Sequence, residues 1–309
     1  CVGEAIDSVL AQDPPPDEVI VIDDGSTDNT AEVLAGYGDR ITVIHQKNAG
    51  SGAARTAGLK HASGHWITFL DSDDLWYPGR LALLHRDLAH PERRDIVLHV
   101  ADVRMIGEGY EQRLFDLRDW PIDEGDTQCV DDALSRALPG LHLNASAVRG
   151  DIAANTNGFP AELKIQQDVY FICAVAIQGP VLFSRNTVAA VRRFPNDDTA
   201  NVELVRNDPV RARHIAQRRF DLILELPLAP AQRRLVRRHA SGHLLELAKA
   251  EFRAGTGNPR QHLLRMARDH PNPLIGWLKA LPPLLFGQAG FDLVSKRKPG
   301  FSRVSSQDN

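Results

Sequence analysis

The chain is poor in cysteine: only Cys1, Cys129 and Cys173, set far apart and without a Cys-x-x-Cys pair. That excludes a disulfide framework and a cysteine-based zinc site, and it suits a reducing compartment such as the cytosol. No apolar run approaches the roughly 18 residues that suggest a membrane span. No signal peptide is visible, and no internal repeat is regular enough for a solenoid. Because Cys1 opens the sequence without methionine and inside a helical pattern, an upstream segment is expected.

What is present is ordinary for a globular protein: 43% hydrophobic and 25% charged residues over 309 positions. This is enough for one large α/β domain with a smaller appendage. The charge is unevenly spread. Residues 1–202 carry 17 Lys+Arg against 31 Asp+Glu, a balance of −14, and residues 203–309 carry 19 against 9, a balance of +10. Either the second segment is drawn to an anionic surface, or its helices simply present solvated arginine faces.

Hydrophobic periodicity divides the chain at the same place. Val19–Ile22 is an unbroken β-branched run, the pattern of a strand buried on both faces. Ile41–Ile44, Trp66–Leu70 and Ile96–Val100 read as further strands. Helical patterns over residues 3–11, 29–36, 52–62 and 78–90 alternate with them. The alternation predicts an α/β domain over 1–202 with a mixed, largely parallel sheet flanked by helices. Residues 107–160 are irregular, with one helix near Val130–Leu138. A helix over Ile165–Ile177 and two short strands, Val181–Ser184 and Val188–Arg193, follow. Residues 203–309 form a basic helical region, its segments separated by Pro227, Pro230, Pro259, Pro271 and Pro282.

Two acidic clusters follow predicted strands directly: Asp23-Asp24-Gly25-Ser26-Thr27 and Asp71-Ser72-Asp73-Asp74. Ligands of open α/β sheets bind at the carboxyl ends of strands. Carboxylates gathered around one crevice need a positive partner, and Mg²⁺ or Mn²⁺ bridging a diphosphate supplies one. Taken singly, each cluster is also ordinary turn and N-cap chemistry. Between them, Asn48–Arg55 is a small-residue loop opening a helix whose N-terminus accepts anionic oxygens.

The set Asp23–Asp28, Asn48-x-Gly50-x-x-x-x-Arg55-x-x-Gly58 and Phe69–Asp74, followed by Gly158-Phe159 and Gln167-Asp168, resembles the family 2 glycosyltransferases. The likeness covers roughly residues 1–200, and it implies an inverting enzyme of GT-A fold. It implies that Asp23 and Asp24 lie at the nucleotide, with Asp24 on the base, and that Arg55 lies along the nucleotide. Asp71 would approach the ribose or donor sugar, Asp73 would bind the metal on the diphosphate, and Asp168 would be the general base. The family's first strand would precede Cys1. Gln167 stands where glutamate is commoner, and Phe194 where many members carry histidine. The implied partners are a nucleotide-sugar donor and a hydroxyl acceptor (saccharide, lipid-linked saccharide or protein), with no nucleic acid. The setting would be cytoplasmic, in polysaccharide or glycoconjugate synthesis.

Rival readings divide on single residues. A haloacid-type phosphatase needs its nucleophile at position 22, which is Ile22, and an EF-hand from Asp71 needs glycine at Trp76. A sugar nucleotidyltransferase and a nucleotide-sugar-binding protein without transfer activity remain as alternatives. Trp76 is a candidate platform for donor or acceptor. His239 and His243, at i, i+4, read as helix-surface or packing residues. Leu274–Phe286 either packs on the catalytic domain or lies on an anionic membrane.

Overall fold

A computed structural model describes residues 1–193 and 200–295, in two compact units, Cys1–Glu203 and Leu204–Asn309. The first unit opens with α1 (Val2–Leu10), β1 (Ile20–Asp23), α2 (Thr30–Ala35), β2 (Thr42–His45), α3 (Ser51–His61) and β3 (Trp66–Thr68). Next come β4 (Leu75–Trp76), α4 (Arg80–Leu88), β5 (Leu98–Gly107), β6 (Tyr110–Arg113), α5 (Leu114–Leu117), β7 (Thr127–Val130) and α6 (Leu134–Ala137). The unit closes with β8 (Ser146–Arg149), α7 (Gly150–Ala154), α8 (Gln167–Ala176) and β9 (Val181–Arg193).

β1 and β2 pair in parallel, joined through α2, with Asp23 opposite His45 at their carboxyl ends. A second sheet runs β3-β8-β5-β9-β4, with β6 on β5 and β7 on β9. The sheet is mixed and flanked by helices, but parallel pairing is the minority pattern within it. Among the described residues only β5 and β9 run parallel there, while β3–β8, β5–β8, β4–β9, β5–β6 and β7–β9 are antiparallel. The cause lies largely in the stretch 107–160, whose strands turn back on their neighbours instead of crossing over through helices.

The two short strands expected near the end of the unit are one. β9 runs continuously, and its register against β5 slips between Ser184 and Thr187. The bulge frees Arg185 to donate to the carbonyls of Trp120, 3.2 Å, and Ile122, 2.8 Å. Helix α8 is buried on every side, not on the single face that its spacing suggested. Its run Val169–Ala176 is apolar all round, and such a helix belongs inside a core.

Helix α9 (Ala200–Asn207) spans the unit boundary, and the described residues of the second unit continue as α10 (Pro209–Glu225), α11 (Pro230–Ala254), α12 (Pro259–Asp269), α13 (Pro273–Phe286) and α14 (Gln288–Ser295). Three of its helices start alike, with an Asx cap followed by proline. Asp208, Asn258 and Asn272 accept from the backbone N–H of Arg211, Gln261 and Ile275, and Pro209, Pro259 and Pro273 come next. Pro282 does not separate two helices. With Pro283 it lies within the last turns of α13, where the lost amide donors interrupt few bonds. The core is built from Leu244, Ala248, Leu263, Met266, Ala267, Ala280 and Phe291. Among the described residues, no helix is long and apolar enough to cross a membrane.

Candidate active site

The first wall of the site is the turn after β1. Asp23 is buried; its carboxylate accepts from Ser26 N at 2.9 Å and meets His45 Nδ1 at 2.9 Å. The hydrogen bonds from Ser26 and then the contact with His45 outweigh burial and hold this carboxyl below its ordinary range. Asp24 reaches across to the loop before α3. It accepts from Gln46 Nε2 at 2.7 Å, Ala49 N at 2.9 Å and Gly50 N at 2.7 Å. The amides expected to meet an external anion are therefore partly taken by Asp24 itself. Gly50 sits at φ 90°, a left-handed conformation that glycine adopts without strain, and this turns its N–H toward the carboxylate.

Arg55, on the second turn of α3, forms the centre. Its Nη2 lies 2.5 Å from Asp71 Oδ1, and its guanidinium lies over the Phe159 ring at 5.8 Å. Burial works against this cation, but the charge and hydrogen bond of Asp71, then the charges of Asp168 and Asp73, raise its pKa. One guanidinium thus faces both Asp71 and Asp73 of one turn and the sequence-distant Asp168, and their mutual repulsion is offset there.

The Asp71–Asp74 turn is clamped from two sides. Buried Asn144, just ahead of β8, accepts from Asp71 N at 3.2 Å and donates to the buried Asp74 carboxylate. Arg192 of β9 donates to the Asp73 carbonyl through Nε, to Asp74 Oδ1 through its backbone N–H at 2.8 Å, and to Glu4 at 2.8 Å. Asn144→Leu should therefore destabilise the protein by about 2–3 kcal/mol, because Asp74 loses a donor in a site that water does not reach. A urea midpoint unchanged at equal slope would contradict that assignment.

Asp168 stands in the first turn of α8, half-buried, beside a buried neighbour of different duty. Gln167 donates from Nε2 to Ser51 Oγ at 2.7 Å, tying the start of α8 to the start of α3. Behind it, Phe159 and Phe171 stack at 4.3 Å and 23°, with Phe69 edge-on to both at 5.7 and 5.9 Å. Thr56 Oγ1 accepts from Phe159 N at 3.1 Å. This aromatic packing fixes α8 against the residues that lead into Asp71.

The structure therefore brings Arg55, Asp71, Asp73 and Asp168 together, and joins Asp23 and Asp24 to them through the loop before α3. Trp76 is no sugar platform: it is buried, donates from Nε1 to Asn144 O at 3.0 Å and packs under Arg80 at 5.0 Å. Phe194 lies outside the described residues, as do Asp197 and Asp198, the carboxylates that come next in line for the base should Asp168 only cap its helix. Sequence reasoning missed His45, Asn144 and Arg192. Only His45 had a signal, since parallel pairing of the first two strands sets it opposite Asp23.

Residues 1–137 match the model of Glycosyl transferase family 2. An uncharacterized glycosyltransferase of Nostoc sp. is 36% identical over 130 residues, 41% of this chain and 37% of that protein. A candidate teichuronic acid biosynthesis glycosyltransferase, TuaG of Bacillus subtilis, is 39% identical over 84 residues, 26% of this chain and 33% of its own length. The chain thus spans about a third of the length of these curated relatives. Among solved structures, S. aureus TarS 1-349 in complex with UDP-GlcNAc has a TM-score of 0.63 at 20% identity, over 95% of this chain and 85% of that one. The mannosyltransferase PcManGT from Pyrobaculum calidifontis, in complex with GDP-Man and Mn²⁺, has a TM-score of 0.54 at 19% identity, over 95% and 79%. At such identities the likeness establishes the fold, which is GT-A-like with a helical C-terminal region.

Proposed function

Through residues 1–137 the chain belongs to glycosyl transferase family 2, and on that premise we propose that it is an inverting enzyme moving a sugar from a nucleoside diphosphate to a hydroxyl acceptor. The observation that carries this reading is the cationic centre at Arg55, held against Asp71 with Asp73 and Asp168 within its field. The acceptor would be a saccharide, a lipid-linked saccharide or a protein.

The donor set fits Mg²⁺ or Mn²⁺, since it consists of hard carboxylate oxygens beside a cation that already balances part of their charge. Asp73 would hold the ion. Asp71, Asp73 and Asp168 do not close on one another as a three-ligand cluster among the described residues, so diphosphate oxygens would complete the shell. When bound, the ion neutralises charge on the departing diphosphate. Asp24 uses three of roughly four carboxylate acceptor positions on the loop before α3, which leaves one for a base N–H. Asp23 braces that turn, and Asp71 faces the ribose or sugar.

Asp168 takes the proton of the acceptor hydroxyl. The acceptor oxygen bonds to the anomeric carbon as the bond to the diphosphate oxygen breaks on the opposite side, which inverts the centre. Gln167, neutral and tied to Ser51, leaves Asp168 as the proton acceptor at this helix start. Product analysis with a panel of nucleotide sugars tests the reaction class. Free nucleoside diphosphate with glycosylated acceptor is expected. Pyrophosphate would point to a nucleotidyltransferase, and tight donor binding with no product would point to a binding protein.

A peripheral contact with an anionic membrane is supported by α13. It turns Gly276 and Ala280 inward and exposes Leu274, Leu278, Leu281 and Leu285, a stripe at i, i+4, i+7 and i+11. Trp277 and Phe286 are exposed beside it, in a region with a balance of +10. Vesicle co-sedimentation at low salt should show binding that favours anionic over neutral lipid and weakens in Leu278→Asp. Equal recovery with both lipids would remove the membrane from this account.

A further inference from the structure

The second unit holds a side-chain cluster that the transfer reaction does not use. His214 on α10, Glu251 on α11 and His262 on α12 present ligand atoms that all lie within 4.8 Å of one another. His214 Nε2 stands 2.8 Å from Glu251 Oε1, and His262 Nε2 stands 3.2 Å from the same oxygen. The two imidazole rings meet edge to face with centroids 5.6 Å apart. We propose that these three side chains form a transition-metal site, Zn²⁺ by its donor set, that clips three helices of the C-terminal unit.

The carboxylate is the strongest argument. Glu251 is 1% exposed, and its Oε2 has no hydrogen-bond partner among the described residues. A buried carboxylate oxygen left without a partner is costly, and both histidines address the other oxygen, Oε1. A divalent ion on the carboxylate would supply the missing positive charge. The backbone is built around the same group. Gly257, at φ +68°, packs so close that a Cβ there would stand 2.3 Å from the Glu251 carboxyl carbon. The loop between α11 and α12 therefore closes over the carboxylate only with glycine at this position.

The geometry is within reach of a tetrahedral ion. Bonds of about 2.0–2.2 Å to nitrogen and oxygen require neighbouring ligand atoms about 3.3 Å apart. The nitrogens of His214 and His262 stand 2.8 and 3.2 Å from Glu251 Oε1, both a little short of that value, and small ring rotations supply the rest. His214 is 46% exposed, which gives the ion an entry path and leaves a fourth position for water. Two imidazoles and one carboxylate favour Zn²⁺ or Co²⁺, whereas the all-oxygen crevice of the first unit favours Mg²⁺ or Mn²⁺. The pair His239 and His243, which has metal-binding spacing in sequence, does not form the site. His243 Nε2 contacts Arg213 O at 2.9 Å, and His239 is exposed.

The test uses the full chain carrying Asp73→Ala, so that the acidic crevice contributes little, after treatment with a chelator. Co²⁺ titration should give the visible absorption of a low-coordinate site at one equivalent, and Zn²⁺ should displace it and raise Tm by several degrees. His214→Ala, which alters the most exposed ligand, should weaken Co²⁺ binding by about 100-fold or more, with helical circular dichroism confirming that the metal-free chain stays folded. Glu251→Gln should do the same to binding, and its helical circular dichroism reports whether it folds. Equal Co²⁺ affinity in parent and His214→Ala would overturn the proposal. So would a Tm that ignores Zn²⁺ yet falls as the histidines lose their protons, the mark of a simple ion-pair cluster.

Discussion

Asp168→Asn is expected to cut turnover by about 100- to 10,000-fold while donor affinity stays within a factor of about two. Asparagine keeps the shape of the side chain and removes its ability to take a proton from the acceptor hydroxyl. The competing role for an acid in the first turn of a helix is to complement the helix dipole, worth under about 1 kcal/mol. That role leaves turnover nearly intact and lowers stability slightly. The two accounts therefore separate on kcat, with KM for the donor as the internal control. The surroundings favour the first. The start of α8 is already fixed by Gln167 on Ser51 and by the Phe159–Phe171 stack, so Asp168 is not needed to hold it.

Asp73→Ala should abolish the tightening of nucleoside diphosphate binding by Mn²⁺, because the ion loses its main protein ligand. The turn itself should survive the substitution. Arg192 is held by the carbonyl of residue 73, and Asn144 holds Asp71 and Asp74. Asp24→Ala should instead weaken nucleotide binding equally with and without Mn²⁺, as expected of a residue proposed to meet the base and seen to hold the loop before α3. A parental Mn²⁺ response in Asp73→Ala would place the ion on another carboxylate.

These candidate residues can be picked out from the sequence because each follows a strand or lies near the start of a helix. The β-branched run at Val19–Ile22 announces β1, and the acidic turn after it follows at once. The same logic applies to Asp71 and Asp73 after β3, and to Arg55 in a helix that begins after a small-residue loop. Asn144 and Arg192 were not legible. Asn144 sits in the irregular stretch 107–160, and the hydrogen bond from Asp71 N crosses 73 positions of sequence. Arg192 reaches the Asp73 carbonyl across 119 positions, through pairing of β4 with β9 that no local pattern encodes. Sheet direction failed for a related reason. Periodicity identifies strands, but the returns at β6 and β8 depend on which neighbours they meet. The metal cluster of the second unit was hidden in the same way, because His214, Glu251 and His262 lie on three helices and share no spacing.

The proposed function rests on the crevice holding Arg55, Asp71, Asp73 and Asp168 being a metal-assisted nucleotide-sugar site. Calorimetric titration of the full chain with nucleoside diphosphates, with and without Mn²⁺, tests it most directly. At least one nucleoside diphosphate should bind, its affinity should rise about tenfold or more with Mn²⁺, and that rise should vanish in Asp73→Ala. Absence of binding by every nucleoside diphosphate, in the presence of Mn²⁺ and with the chain folded, would contradict the account.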